Sequence, residues 1–175
     1  RSKVDRWRTG SFGLSGLRGH YSQKIARRIV TLATLVMPRV HAAVFTTLWN
    51  GWCSHRRFQR RRWPTNVCVF KCGGAAEDSL EHYCRCEVVH RVAKHMLHFS
   101  YPDELALDIW TLNSTWLDDL DNLRGLGLLV YGTYMAFNGI RHKGITDSQQ
   151  AFQRISQHCK QGALGHAASM RFLDS

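Results

Sequence analysis

Residues 68–90 read CVFKCGGAAEDSLEHYCRCEVVH and hold four of the six cysteines and two of the ten histidines in the chain. Within this stretch, Cys68, Cys72, His82 and Cys86 give the spacing Cys-x3-Cys-x9-His-x3-Cys. Thiolates and imidazoles are the ligands of tetrahedral structural zinc sites, which draw them from two short segments. The spacing therefore predicts one zinc ion per chain, held by these four side chains.

The second half of the stretch predicts a helix. Asp78 and Glu81 stand three residues apart, a spacing typical of helix starts, where acidic side chains accept hydrogen bonds from free backbone N–H groups. A single helix from Asp78 to about Phe99 would place His82 and Cys86 four residues apart on one face. Two ligands would then come from one turn of helix, and two from the short turn that precedes it.

Other assignments within the stretch stay open. Cys84 would point to the far side of such a helix, whereas His90 would lie on the same stripe as His82 and Cys86, so both are alternate ligands. Reduced core cysteines with surface histidines, or disulfides, would need no metal at all. If zinc binds, four protein ligands leave no position for an activated water, which makes the metal structural and not catalytic. Structural zinc contributes about 10–16 kcal/mol of apparent binding energy, enough to hold this segment folded.

The charge of the chain points to a polyanionic partner. The formal net charge is +11 at pH 7, which favours RNA, DNA or anionic lipid. Five arginines crowd into one short segment, here called the arginine run: Arg56, Arg57, Arg60, Arg61 and Arg62. Arginine suits bidentate phosphate contacts, and each contact releases a counterion from the nucleic acid. A solvated charge run or a nuclear localisation signal would look the same.

Residues 1–20 form a second basic segment, here called the N-terminal arm. Arg6, Trp7 and Arg8 set two cations beside an aromatic ring, a combination that suits RNA because arginine contacts phosphate and the ring can stack on a base. A solubilising tail pinned to the surface by its aromatic residues is the alternative interpretation.

Hydrophobic periodicity predicts a mostly α fold of five to six helices with one zinc-knuckle segment and no substantial sheet. The predicted helices cover 21–36, 39–58, 78–99, one or two short stretches within 103–121, a central buried helix in 123–140, and 147–160. The expected organisation is the arm at 1–20, a helical pair with the arginine run at 21–63, the knuckle and its helix at 64–100, and a helical part at 101–175. The last three parts are expected to fold as one compact domain.

Several packing expectations follow from the same patterns. In the first helix, Lys24, Arg27 and Arg28 fall off the apolar stripe and are expected to face solvent. In the second, Val44, Leu48 and Trp52 form a stripe, with Phe45 and Trp49 beside it, expected in the core. The acidic residues of 103–121 are expected to cap helices and face water. The apolar run at 123–140 falls short of the ~20 residues that span a bilayer, so no membrane span is predicted.

Three motifs carry a resemblance to a known family: TLWNGWCSHRRFQRRRW at 47–63, CVFKCG at 68–73 and EDSLEHYCRC at 77–86. Residues 40–90 resemble the zinc-binding region that follows the polymerase core in reverse transcriptases of non-LTR retrotransposons, and are similar to the reverse-transcriptase-like proteins of dinoflagellates. The resemblance implies a nucleic-acid-binding accessory region in which Cys68, Cys72, His82 and Cys86 bind the metal. The chain departs from the family in having no Tyr-x-Asp-Asp polymerase motif, and Pro102-Asp103 lacks the acidic-x-Lys partner of the associated endonucleases.

These observations favour two functions. The first is a non-catalytic nucleic-acid-binding zinc module derived from a retroelement reverse transcriptase, with RNA or DNA as partner. The second is a structural subunit of a large ribonucleoprotein or organellar assembly, held by its basic aromatic arm. No polymerase, nuclease or catalytic-triad pattern favours an enzyme. Zinc-like spacing together with the additional Cys53 and Cys159 indicates a reducing, intracellular environment, with nucleus and organelle both open.

Overall fold

The computed structural model of the 175-residue chain describes residues 20–49, 51–54, 67–73, 76–145 and 147–166. Its helices are α1 (His20–Leu35), α2 (Pro38–Leu48), α3 (Leu80–Tyr83), α4 (Glu87–Met96), α5 (Ala106–Trp110), α6 (Leu120–Lys143) and α7 (Ser148–Ala163), with a 3-10 helix at Thr115–Asp118. No strand occurs in these ranges, and Val67 and Glu77 form an isolated antiparallel bridge. The prediction of a mostly α fold is confirmed, since five of these helices have ten residues or more.

Helix α6 is the centre of the core, as the absence of charge at residues 125–140 predicted. It contacts α1, α2, α4 and α7, and it begins where the Asp119 carboxylate accepts hydrogen bonds from the backbone N–H groups of Asp121 and Asn122. That cap confirms the expected role of the acidic residues that precede it. The helix lies so close to α7 that a Cβ added at Gly132 would stand 2.4 Å from the Cys159 sulfur. Only glycine permits this approach.

Two helix boundaries differ from those predicted. The helix expected at 39–58 ends at Leu48, because the Gly51 N–H bonds back to the Thr46 carbonyl at 2.7 Å and closes a wider turn. The single helix expected at 78–99 is two helices, α3 and α4, and α3 is capped by the Ser79 hydroxyl rather than by Asp78. Cys86 has extended backbone angles and begins α4, which breaks the helix between the two parts.

The second helix also buries less of its aromatic stripe than expected. Val44, Leu48 and Trp52 are buried, but Phe45 and Trp49 are each 40% exposed. Their rings meet edge to face at 5.5 Å on a face that the rest of the described chain covers only in part. The prediction that both rings lie in the core is therefore wrong.

Arg28 is buried, contrary to the expectation that it faces solvent. It is 5% exposed, and its guanidinium donates to the Leu112 carbonyl at 2.8 Å and to the Asp118 carboxylate. The hydrogen bond from Arg28 holds the pKa of Asp118 below its usual value. One side chain thus ties α1 to the loop and the 3-10 helix that precede α6.

Replacing Arg28 by methionine is expected to lower the free energy of unfolding by about 1–3 kcal/mol, since the buried Leu112 carbonyl would lose a charge-assisted donor. The pKa of Asp118 is depressed in the folded state. The part of the lost stability that comes from the ion pair is therefore present above the normal pKa of aspartate. It disappears as the pH falls through the lowered pKa of Asp118. The exposed neighbour Arg27→Met should change stability by less than about 0.5 kcal/mol. Urea unfolding of both variants at pH 7 and pH 3 tests this, and equal stability of the two at pH 7 would contradict it.

Candidate metal centre

The first half of the site is a tight turn between two of the cysteines. The Cys68 N–H bonds to the Ala76 carbonyl at 2.8 Å, and the Lys71 N–H bonds to the Cys68 carbonyl at 3.2 Å. Lys71 and Gly73 have positive φ angles of 55° and 82°, which fold the chain back on itself. The turn brings the thiol groups of Cys68 and Cys72 to the same side.

The second half is the short helix α3 and the turn that follows it. Ser79 Oγ accepts a hydrogen bond from the His82 N–H at 3.2 Å, which fixes the first turn. The Arg85 N–H then bonds to the His82 carbonyl at 2.8 Å, and the Cys86 N–H bonds to the Tyr83 carbonyl at 3.3 Å. These turn bonds, and not a continuous helix, bring Cys86 alongside His82.

The four side chains predicted from the spacing converge. Cys68, Cys72, His82 and Cys86 each offer one ligand atom, and these atoms all lie within 4.8 Å of one another. The Cys68 and Cys86 sulfurs are 3.9 Å apart, and the Cys72 sulfur is 3.5 Å from His82 Nε2. This group, the Cys3His cluster, could hold a metal ion.

Two of the six distances between the ligand atoms fit a tetrahedral ion of the size of zinc. Bonds of about 2.3 Å to sulfur and about 2.0–2.1 Å to nitrogen would put two sulfurs about 3.8 Å apart and a sulfur and a nitrogen about 3.6 Å apart. The two observed separations, 3.9 Å and 3.5 Å, are close to these edges. The donor set of three thiols and one imidazole also matches the ligand preference of that metal.

Proton sharing among the thiols shows how the cluster carries charge. The hydrogen bond from Cys68, together with the neighbouring His82, lowers the pKa of Cys86 to about 4 against the opposing effect of burial. The pKa of Cys68 is raised by its hydrogen bond with Cys86 and by burial, and burial raises that of Cys72. One thiolate is therefore stabilised by the Cys68 thiol and by His82, and a divalent cation would convert the two remaining thiols to thiolates with release of their protons.

An aromatic layer joins the cluster to the helical core. The ring of Tyr83, directly after the ligand candidate His82, packs at 5.0 Å from Phe70 and stacks at 5.5 Å on Trp52. Its hydroxyl donates to the Asp78 carboxylate, which is itself buried. Sequence reasoning missed the role of Tyr83 and Asp78, since no local pattern marks a tyrosine whose partners come from three segments.

The two alternate ligands do not join the cluster. The Cys84 thiol donates to the Glu81 carbonyl at 3.1 Å, and burial raises its pKa to about 12. His90 Nε2 lies 3.1 Å from the Cys84 carbonyl and 3.5 Å from the Asp103 carboxylate. Both residues support the backbone beside the cluster instead. None of the six cysteines forms a disulfide.

The predicted nucleic-acid-binding residues fall outside the described ranges. The arginine run lies within residues 55–66, and Arg6, Trp7 and Arg8 lie within residues 1–19. What the structure does fix is the ends of the segment that contains the arginine run. Ser54 at one end is buried beside the core, and Val67 at the other end pairs with Glu77 next to the Cys3His cluster.

Comparison with known proteins gives no relative to argue from. No family model matches the chain, and none of the curated proteins or solved structures matches it. None of the helices in the described ranges combines the length and apolarity needed to cross a membrane.

Proposed function

We propose that this protein is a non-catalytic nucleic-acid-binding module whose fold depends on one structural zinc ion. The observation that carries the proposal is the Cys3His cluster, in which four protein side chains would fill all the positions around a tetrahedral ion. A catalytic zinc keeps one position for water or substrate, whereas a structural zinc does not. Thiolate ligands also need a reducing environment, which favours an intracellular location.

The zinc is proposed to act on the polypeptide and not on a substrate. It would join the turn at Cys68 and Cys72 to the segment after α3, two elements that are too short to fold on their own. Because Tyr83 packs between this unit and the core, the metal would also fix the position of the chain that leads back to the arginine run.

Support for a nucleic-acid partner comes from the charge and its placement. The net charge is +11, and five of the 24 basic residues fall in the arginine run. Both ends of the segment that contains it are anchored, one beside the core and one beside the Cys3His cluster. A short basic segment held at both ends loses less conformational entropy on binding than a free tail does. The resemblance of residues 40–90 to the region after a reverse-transcriptase core points the same way.

Replacing all five residues of the arginine run by alanine is expected to weaken binding to a 20-nucleotide RNA and to flatten its salt dependence. Each lost phosphate contact reduces the slope of log K against log[salt] by about 0.7–0.9, so five contacts correspond to about 3.5–4.5. Fluorescence anisotropy at several salt concentrations measures this slope.

The matched control removes five charges from described helices instead. Lys94, Arg141, Lys143, Arg154 and Lys160 lie on α4, α6 and α7. Their joint replacement by alanine lowers the net charge equally and should change the slope much less. An equal fall in both variants would show that overall charge, not the arginine run, binds RNA and would contradict the proposal.

A second candidate function is a structural subunit of a larger assembly. The observation that favours it is the exposed face of α2, where Phe45 and Trp49 are each 40% exposed and in contact with one another. Exposed aromatic pairs are typical of protein interfaces as well as of base-stacking surfaces. A Phe45→Ala, Trp49→Ala double variant that binds RNA normally, but no longer co-sediments with a large particle from the source cells, would favour the subunit.

A further inference from the structure

A cavity of about 450 Å³ lies between α1 and the beginning of α6, with none of the Cys3His residues in its walls. Lys24 and Arg27 of α1 line one side, and Leu117, Leu120 and Leu123 line the other. Pockets that bind small molecules have volumes of roughly 300–1,000 Å³. The cavity is therefore large enough for a ligand of that class and has two chemically different walls.

Arg28 makes the cavity a fixed part of the fold. Its guanidinium lies in the wall, bonded to the Leu112 carbonyl and to the Asp118 carboxylate. These bonds join α1 to the 3-10 helix and to the loop before it, and so fix the distance between the walls. A pocket whose walls are joined in this way is already formed before the ligand arrives, which reduces the entropy lost on binding.

The charge left at the mouth is positive. Asp118 is the one carboxylate in the lining, and Arg28 already forms an ion pair with it. Lys24 is near enough to Asp118 to help lower its pKa. Within the described ranges no carboxylate lies within ion-pair distance of Arg27, which is exposed on α1. Arg27 thus carries the least compensated charge.

On the opposite wall, the exposed part of Leu120 offers apolar surface to a ligand. Leu120 is 51% exposed, whereas Leu117 and Leu123 are buried behind it. A ligand that satisfies both walls has an anionic group next to a weakly polar body. Among common biological molecules, a nucleotide has this combination, with a phosphate at one end and a base at the other.

We propose that this cavity binds a nucleotide, with the phosphate at Lys24 and Arg27 and the base against Leu120. The nucleotide is either free in solution or one unit of a bound strand, and the second case rests on the proposed nucleic-acid-binding function. The site lies on α1 and α6 and includes neither the arginine run nor the Cys3His cluster, so it can be tested separately from both.

Isothermal titration with adenosine 5′-monophosphate, and with inorganic phosphate, tests the site in the full zinc-loaded chain. We expect Arg27→Ala to weaken binding of the mononucleotide by about tenfold or more, as expected for loss of a charged hydrogen-bond donor. Leu120→Asp should weaken it similarly by removing apolar surface and adding a negative charge. Lys160→Ala, an exposed basic residue on α7, is the matched control and should bind normally. Both altered residues are exposed, so thermal unfolding should show that the variants remain folded.

The outcomes separate the sources of the ligand. If Arg27→Ala weakens both mononucleotide and RNA binding, the cavity holds one unit of a strand, and if only mononucleotide binding weakens, it holds a free nucleotide. Binding of inorganic phosphate as tightly as the mononucleotide would leave the apolar wall without a role and overturn the proposal. So would unchanged mononucleotide binding in Arg27→Ala and Leu120→Asp, or no binding by the wild type. A variant that lacks the arginine run should still bind the mononucleotide, so failure of the nucleic-acid proposal would not remove this site.

Discussion

Replacing Cys72 by serine is expected to reduce bound zinc from one ion per chain to none and to unfold the segment around the Cys3His cluster. Structural zinc contributes about 10–16 kcal/mol of apparent binding energy, which is comparable to the whole stability of a domain, about 5–15 kcal/mol. Cys72 is only partly buried, so the substitution removes a ligand with little direct loss of packing. The fall in stability would therefore report the metal and not a cavity.

Cys84→Ala is the matched control for this experiment. Cys84 lies in the same segment and is fully buried, but its thiol bonds to the Glu81 carbonyl and is not part of the cluster. We expect this variant to keep one zinc per chain and to lose about 1 kcal/mol or somewhat more, mostly from packing and the weak hydrogen bond.

Zinc content by mass spectrometry and unfolding followed by circular dichroism measure both variants. A strong chelator should lower the midpoint of the wild type and of Cys84→Ala towards that of Cys72→Ser, and should leave Cys72→Ser itself unchanged. Zinc retained in Cys72→Ser, or a chelator that does not affect wild-type stability, would remove the basis of the proposed metal site.

The positions of the four clustered residues could be predicted from the sequence, but the backbone that brings them together could not. Spacing shows that two pairs of donors are close along the chain, which is enough to predict that short turns can bring them into contact. It does not show which of two adjacent capping residues, Asp78 or Ser79, begins the helix, because both are good caps. Ser79 forms the cap, and the Asp78 carboxylate instead accepts a hydrogen bond from the Tyr83 hydroxyl.

Hydrophobic periodicity likewise predicted which segments are helical better than it predicted what each side chain contacts. It identified α6 as the central helix because a long run without charge is stable only inside a fold. It placed Arg28 outside because that residue falls off the apolar stripe of its helix. Its partners here are Leu112 and Asp118, 84 and 90 residues away in sequence, and nothing near Arg28 indicates them. The roles assigned to the arginine run and the N-terminal arm stay predictions.

Replacing Trp52 by alanine is expected to lower the free energy of unfolding by about 3–5 kcal/mol, the cost typical of emptying a large aromatic site in a core. Trp52 is completely buried, and its indole N–H donates to the Thr47 hydroxyl at 2.8 Å. Its ring lies 5.0 Å from Phe137 of α6 and 5.5 Å from Tyr83 of α3. It therefore fills the space between the helical core and the Cys3His cluster.

Trp49→Ala is the matched control, since it removes the same type of side chain three residues earlier. Trp49 is 40% exposed, so we expect it to cost about 1 kcal/mol or less. Urea unfolding of both variants, with zinc release followed by a chromophoric chelator, tests this difference. If the aromatic layer couples the two parts, Trp52→Ala should shift zinc release and helix unfolding to lower urea together. Zinc release could instead stay at the wild-type urea midpoint while the helices unfold at lower urea. That result would mean that the metal segment unfolds independently and that the contact between Trp52 and Tyr83 does not couple it to the core.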